Sequence, residues 1–350
     1  MNKLFASAIL AAVSQAAGDG KCRALVMSGG SNNGAWEAGV FWGLVHYGNP
    51  ADYTYDTVSG VSAGSINTGA FATWEKGTEV ELSEWLSDQW ASMTNDQLYT
   101  LRSLNPIKDL FHEPSAFDDD PAIATLTRIY SYTGGEIKRH FAVSAVDANT
   151  GDYNAMTDKN TSFEDLPRSV MSSASIPVVF PALSLNGKVN MDGGTVWNTN
   201  LDSAIETCLE IVDDPKDIIV DVAICGYSHL PELEVKKNAL EDFLEAKSIR
   251  DYYHSTSGIW EQAAAYPGLD IRYYFQERTS CPGSGGLDFN NSTTWCLQEQ
   301  GRTDAKAMLD IGSENVRDTL AEWRADKKLI KEYPYFKDYL NAIYNTVFSQ

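Results

Sequence analysis

Short apolar runs alternate with helix-spaced segments over the first two thirds of the chain. Arg23–Ser28 (RALVMS), Thr57–Gly60, His140–Val146 and Ile218–Ile224 are compact apolar runs, the form of buried strands. Between them, Ala35–His46 sets Trp36, Val40 and Leu44 at helical spacing. Ser65–Trp74 reads as a helix, and Glu79–Met93 places Leu82, Trp85, Leu86 and Trp90 on one helical face. Strands separated by helices predict an α/β fold: a mostly parallel central sheet with helices on its faces. From about residue 234 the pattern is mainly helical, with one more strand at Asp270–Phe275. The stretch Ala239–Ala265 reads as a lid or a packing helix.

The first 17 residues, MNKLFASAILAAVSQAA, stand apart. Lys3 precedes a short apolar stretch, Leu4 to Val13, and small residues follow. This predicts a secretory signal peptide, too short to span a bilayer. No later stretch reaches 18 uninterrupted apolar residues, so no transmembrane segment is expected. Export to the medium or to an endomembrane lumen would expose Asn160, Asn290 and Asn291, each in a glycosylation sequon. It would also oxidise cysteines. Of the five, Cys281 and Cys296 flank a Gly/Ser/Asn-rich loop and are the expected disulfide pair. Cys208 and Cys225 read as plain buried thiols. No Cys or His spacing suggests a structural metal.

Composition narrows the function. Hydrophobic residues make up 43%, enough for a core. Against 27 basic residues stand 48 acidic ones, a net charge of −21. Such a chain repels nucleic acid and gains nothing from anionic membranes near neutral pH. Tyr and Trp are numerous (17 and 9), for example Tyr252, Tyr253, Trp260, Tyr333, Tyr335, Tyr339 and Tyr344. They read as core residues or as anchors at a lipid interface.

Two loops carry the chemistry. Gly60-Val61-Ser62-Ala63-Gly64 matches G-x-S-x-G between a strand and a helix, where the turn presents a serine hydroxyl and glycines remove clashing side chains. Ser28-Gly29-Gly30-Ser31-Asn32-Asn33-Gly34 also joins a strand to a helix. Its backbone N–H groups can converge on a phosphate or a developing oxyanion. No Gly-Lys-Ser/Thr follows, and the G-x-G-x-x-G spacing is missing, which disfavours nucleotides. An oxyanion hole for Ser62 fits better. A serine nucleophile needs a base. None of the five histidines (46, 112, 140, 229, 254) sits in a turn like a catalytic loop. Asp192, in Met191-Asp192-Gly193-Gly194, does.

These residues resemble the patatin-like phospholipase family. Met27–Val40 is similar to its oxyanion segment, Gly60–Gly64 to its nucleophile elbow and Asp192-Gly193-Gly194 to its D-G-G/A motif. Ser173–Pro177 with Phe180-Pro181 resembles the segment before that aspartate. The resemblance covers about residues 22–200. It implies one patatin-like three-layer domain over 18–350, with a catalytic core at about 22–228 and a mainly helical part at about 229–350. It also implies a Ser62–Asp192 dyad and an oxyanion hole from the N–H groups of Gly29, Gly30 and Ser31. The implied reaction hydrolyses lipid acyl esters, at a membrane or micelle surface, through an acyl-enzyme, without calcium or any cofactor. The chain departs from the pattern at three places. Ser31 replaces the third glycine and Asn33 the usual Lys or Arg. Asn198-Thr199-Asn200 replaces the later Asn-Pro. Two alternatives stand beside this reading. One is a lipid-binding protein of the same fold with impaired catalysis. The other is an α/β-hydrolase using Ser62, Asp192 and His229 or His254.

Overall fold

The computed structural model describes residues 19–102, 112–227, 265–279 and 281–315, with single positions 249, 259, 262 and 263 between them. The expected signal peptide at 1–17, His229, His254, most of the 239–265 stretch, its aromatics and the aromatics beyond residue 316 lie outside the described residues.

The chain builds the expected α/β architecture. In order, β1 is Cys22–Met27, α1 Gly34–Tyr47, β2 Thr57–Gly60, α2 Ala63–Ala72 and α3 Glu79–Ser92. The short strands β3 (Thr100–Leu101) and β4 (Phe117–Asp118) precede α4, Asp120–Tyr130. Next come β5 (His140–Asp147), β6 (Tyr153–Thr157), α5 (Leu166–Ser173), β7 (Leu183–Leu185), β8 (Lys188–Asp192) and α6 (Leu201–Cys208). Ile218–Tyr227 forms β9, Asp270–Glu277 forms β10, and Asn291–Ile311 forms α7.

The main sheet runs β10-β9-β1-β2-β5-β8-β7, with β6 also on β5. β10, β9, β1, β2 and β5 are parallel neighbours, whereas β6, β7 and β8 join antiparallel. This antiparallel end was not legible from periodicity, because β6 is only half-buried and β7 has three residues. β1 has strands on both edges and is almost wholly buried, as its unbroken apolar run requires.

One register positions the site. β2 pairs with β5 from Thr57↔His140 to Gly60↔Val143, and β8 pairs with Ala145–Asp147 of the same strand, Asp192 opposite Ala145. β6 covers Ala142–Val146 and so fills one edge of β5. β8 therefore takes up the edge that β2 leaves. Asp192 lies two β5 residues beyond the end of β2, where the chain turns into Ser62.

Helices flank the sheet. Trp36, Val40, Phe41 and Leu44 of α1 are buried, and α6 packs on β1, β2 and β5. The long α7 crosses α1 at very close range. A Cβ on Gly301 would come 2.1 Å from the Trp36 carbonyl oxygen, and one on Gly39 2.2 Å from that of Gln298. Only hydrogen fits at that crossing, so α7 is locked onto α1.

Cys281–Cys296 is a disulfide, as expected from its loop, with Cα atoms 6.0 Å apart. The reading of Cys208 as a plain buried thiol is corrected. Cys208 is bonded to Cys22, Cα–Cα 5.6 Å, across 186 residues. It escaped notice because the contact of α6 with β1 is purely tertiary. Cys225 is buried and outside both disulfides.

Candidate active site

Ser62 stands between the last residue of β2 and the first turn of α2, with φ 51° and ψ −117°. A non-glycine residue there is strained by on the order of 1–3 kcal/mol. The strain is held by neighbours. The Ser62 N–H donates to Ser173 Oγ (3.0 Å), which donates to the Ser144 carbonyl (2.6 Å). Ser65 Oγ donates to the Ser62 carbonyl. Gly60 and Gly64 allow the turn to close: a Cβ on Gly60 would meet the Gly64 carbonyl oxygen at 2.2 Å, and one on Gly64 the Met27 carbonyl oxygen at 2.6 Å. Ser62 is 6% exposed, at the positive end of the α2 dipole.

Asp192 is also 6% exposed. Its Oδ1 accepts from the Gly194 N–H at 2.6 Å, which fixes the carboxylate at the end of β8. Gly193 presses against the elbow, since a Cβ there would lie 2.9 Å from Val61 Cγ1 and 2.3 Å from the Ser144 carbonyl oxygen. The register and this contact bring the two expected catalytic turns together.

The glycine loop is the third component. Asn198, past the Asp192 turn, grips it twice: Asn198 Nδ2 donates to the Gly29 carbonyl (2.8 Å), and the Gly29 N–H donates to the Asn198 carbonyl (3.0 Å). The expectation that three consecutive N–H groups face the serine is thus narrowed, because that of Gly29 is committed to Asn198. The N–H groups of Gly30 and Ser31 have no hydrogen bond within the described residues. They lie one turn before α1, where a helix dipole favours negative charge. Ser31 has φ 53°, the left-handed conformation a glycine would take readily, so the substituted position keeps the glycine-type backbone.

Asn33 is right-handed (φ −68°), and its side chain docks on Glu277 and the loop after β10. Asn33 Nδ2 donates to Glu277 Oε1. Its Oδ1 accepts from Ser284 Oγ (2.9 Å) and the Gly285 N–H (2.8 Å). Asn32 Nδ2 donates to the carbonyls of Gly283 (2.7 Å) and Asp288 (2.9 Å). Behind this contact lies a buried acidic group. Burial pushes the Glu277 carboxyl up to about 8 and that of Asp304 up to about 6, and raises Glu37 well above its ordinary value. Asn33 therefore donates to a carboxyl, that of Glu277, whose charged form burial disfavours.

An apolar pocket opens beside Ser62. Ser31, Ser62 and Ala63 line it with Ile66 of α2, Ala122 of α4, Met171 of α5 and Leu287 and Phe289 of the disulfide loop. The histidines within the described residues serve other contacts or none. His46 pairs with Ser83 and His140 with Asp158 at the far end of β5 from Asp192, while His112 is exposed. Asp118, Asp119 and Asp120 are the one group of carboxylates among the described residues close enough to share an ion, and it includes neither Ser62 nor Asp192. Asn160, Asn290 and Asn291 are exposed, but their side-chain amides donate to Ala155, Asp288 and Ala91.

A family model described as patatin-like phospholipase matches residues 25–205, which is 181 of the 350 residues and spans all three turns. The chain belongs to the patatin-like phospholipase family. It is accordingly a lipid ester hydrolase with a patatin-like fold. The matched range ends before β9, so Glu277 and Ser284, the partners of Asn33, and the pocket residues Leu287 and Phe289 lie outside it. No curated protein matches the sequence. Among solved structures, VipD from Legionella pneumophila is similar at 13% identity, TM-score 0.42, over 83% of this chain and 67% of that one. Full-length ExoU from Pseudomonas aeruginosa, in complex with SpcU, is similar at 13% identity and TM-score 0.36, over 83% of this chain. The aligned region spans about half (52%) of the ExoU chain.

Sequence reasoning named Ser62, Asp192 and the glycine loop. It missed the clamp role of Asn198, quoted only as a departure from the pattern, and the support from Ser173. Glu277 and Ser284 carry no local signal at all.

Proposed function

We propose that this chain is an exported lipid acyl hydrolase in which Ser62 is the nucleophile and Asp192 the base. The register that sets Asp192 two β5 residues past the end of β2, the strand that leads into the strained Ser62, supports this reading. Ser62 Oγ attacks the ester carbonyl as its proton passes to the Asp192 carboxylate. The oxyanion that forms is held by the N–H groups of Gly30 and Ser31. Collapse expels the alcohol, protonated by Asp192, and leaves an acyl-Ser62 ester. Asp192 then takes a proton from a water whose oxygen attacks the acyl carbon, and returns it to Ser62 Oγ as the acyl C–Oγ bond breaks, which releases the acid and restores the serine.

Nothing in this sequence of steps calls for calcium. The glycine-type backbone of Ser31 favours an active enzyme over a binding protein that has lost catalysis. Two disulfides support export through an oxidising compartment.

The decisive experiment compares Ser62→Ala, Asp192→Asn, His229→Ala and His254→Ala on a lipid ester, with and without EDTA. The first two should lose several powers of ten in rate. Both histidine variants, and the chelated wild type, should keep theirs. Loss in a histidine variant with Asp192→Asn still active would replace the dyad by a triad.

A further inference from the structure

The oxyanion N–H groups sit in a turn that is held from outside. Asn33 closes that turn, its N–H donating to the Gly30 carbonyl (3.0 Å). Within it Ser31 is strained (φ 53°), and such a conformation persists only where neighbours fix it. Three buried side chains do so as a ring. Asn33 Nδ2 donates to Glu277 Oε1, Ser284 Oγ donates to Asn33 Oδ1 (2.9 Å), and Ser284 Oγ lies 3.3 Å from Glu277 Oε2. A serine hydroxyl has one proton to give. While that proton points at Asn33, the third side of the ring is a hydrogen bond only if Glu277 Oε2 carries a proton of its own. Neutral Glu277 then donates to Ser284, Ser284 to Asn33 and Asn33 back to Glu277. An ionised Glu277 can only accept. It would draw the Ser284 hydroxyl to itself and away from Asn33, because hydrogen bonds to a charged acceptor are the stronger ones.

We propose that Glu277 is a positioning residue for the hydrolysis: protonated, it closes a ring through Ser284 and Asn33 that sets the N–H groups of Gly30 and Ser31, and its ionisation opens the ring and slows catalysis. The proposal rests on the reading of Ser62 as nucleophile, because only then does an oxyanion form at those groups. Among the described residues, the titratable or charged groups around Glu277 are Asp304 of α7, Glu37 of α1, Cys225 of β9 and Arg278, the next residue in the chain. Asp304, at about 6, gives up its proton first, and its charge then helps burial hold the Glu277 proton to about 8. Burial pushes the Cys225 thiol well above its usual range, and it raises Glu37 as well. The ring is therefore closed at pH 7 and opens as pH rises through about 8.

The test measures kcat and KM on p-nitrophenyl butyrate from pH 6 to pH 9.5 for the full chain, Glu277→Gln and Asn33→Ala. Ser62→Ala serves as the blank, and each protein is kept well below its unfolding midpoint. Wild-type kcat should fall about tenfold across the range, the cost of a slightly misplaced oxyanion hole. KM should hardly move, because the oxyanion exists only beyond the ground state. Gln offers Ser284 a donor and Asn33 an acceptor at every pH, so Glu277→Gln should lack the alkaline fall. Asn33→Ala breaks the ring at every pH, so its kcat should already be about tenfold low at pH 7 and show no step near pH 8. A wild-type kcat that stays flat to pH 9.5 overturns the proposal. So does a Glu277→Gln profile that falls as the wild type does, whether or not Asn33→Ala folds. Hydrolysis by Ser62→Ala at the wild-type rate would instead overturn the reading of Ser62, and this proposal with it.

Discussion

Glu277→Gln probes the buried contact that joins the glycine loop to the C-terminal part. Glu277 is 1% exposed, and burial, reinforced by the nearby Asp304 charge, lifts its carboxyl from 4.5 to about 8. Between those values the folded chain keeps a proton that the unfolded chain has released. Folding therefore takes up a proton, and stability falls as pH rises through the window, by about 1.4 kcal/mol per pH unit. At pH 7 the accumulated loss from this one group is about 3 kcal/mol relative to pH 4.5. Gln carries no proton to lose, yet it reproduces the contacts. Its carbonyl accepts from Asn33 Nδ2 and its amide can donate to Ser284 Oγ, the neighbour of Glu277 Oε2 at 3.3 Å. Glu37 and Asp304 remain in both proteins, so the difference between them isolates Glu277. Urea unfolding at pH 5, 6, 7 and 8 reads it directly. The variant should match the wild type near pH 5 and exceed it by about 3 kcal/mol at pH 7. Two parallel stability curves, offset by a constant, would show that Glu277 is ionised in the folded chain and would refute the neutral network.

Gly29→Ala places a Cβ 2.3 Å from Asn198 Oδ1 and 2.9 Å from Ser62 Cβ. It should fold yet lose about 100-fold in kcat, as a misplaced reacting group does; steady-state kinetics with a thermal melt check both halves. Asn198→Ala removes the side-chain half of the clamp and should lower kcat at least tenfold with little change in unfolding midpoint. Cys22→Ser opens a loop of 186 residues. In the chain-entropy model it should cost about 5 kcal/mol, against about 3 for Cys296→Ser, measured by denaturation under oxidising conditions. A carboxylate base stays ionised at pH 5, where imidazole is largely protonated. Hydrolysis should therefore persist at pH 5, and a steep loss between pH 7 and pH 5 would point to a histidine.

The sequence by itself determined everything that depends on a few consecutive residues. Gly60–Gly64 shapes its own elbow because two glycines allow the approach that the strained Ser62 needs. The glycine loop forms before α1, and Asp192 ends a strand because Gly193 and Gly194 let the chain turn. The run RALVMS is a buried central strand because its apolar residues serve both faces. Tertiary structure alone decided how these pieces meet. The Asp192 turn comes beside the Ser62 elbow because β8 takes the edge of β5 that β2 vacates, a register that no window of sequence contains. Cys208 finds Cys22, Asn33 finds Glu277, and Leu287 and Phe289 reach the pocket across separations of more than 180 residues. Such contacts follow from which apolar faces the whole chain can bury together, and pairing over that distance leaves no periodicity in the local pattern. The site is therefore legible in its chemistry from the motifs, while part of its shape is written in the packing of a segment that carries no motif.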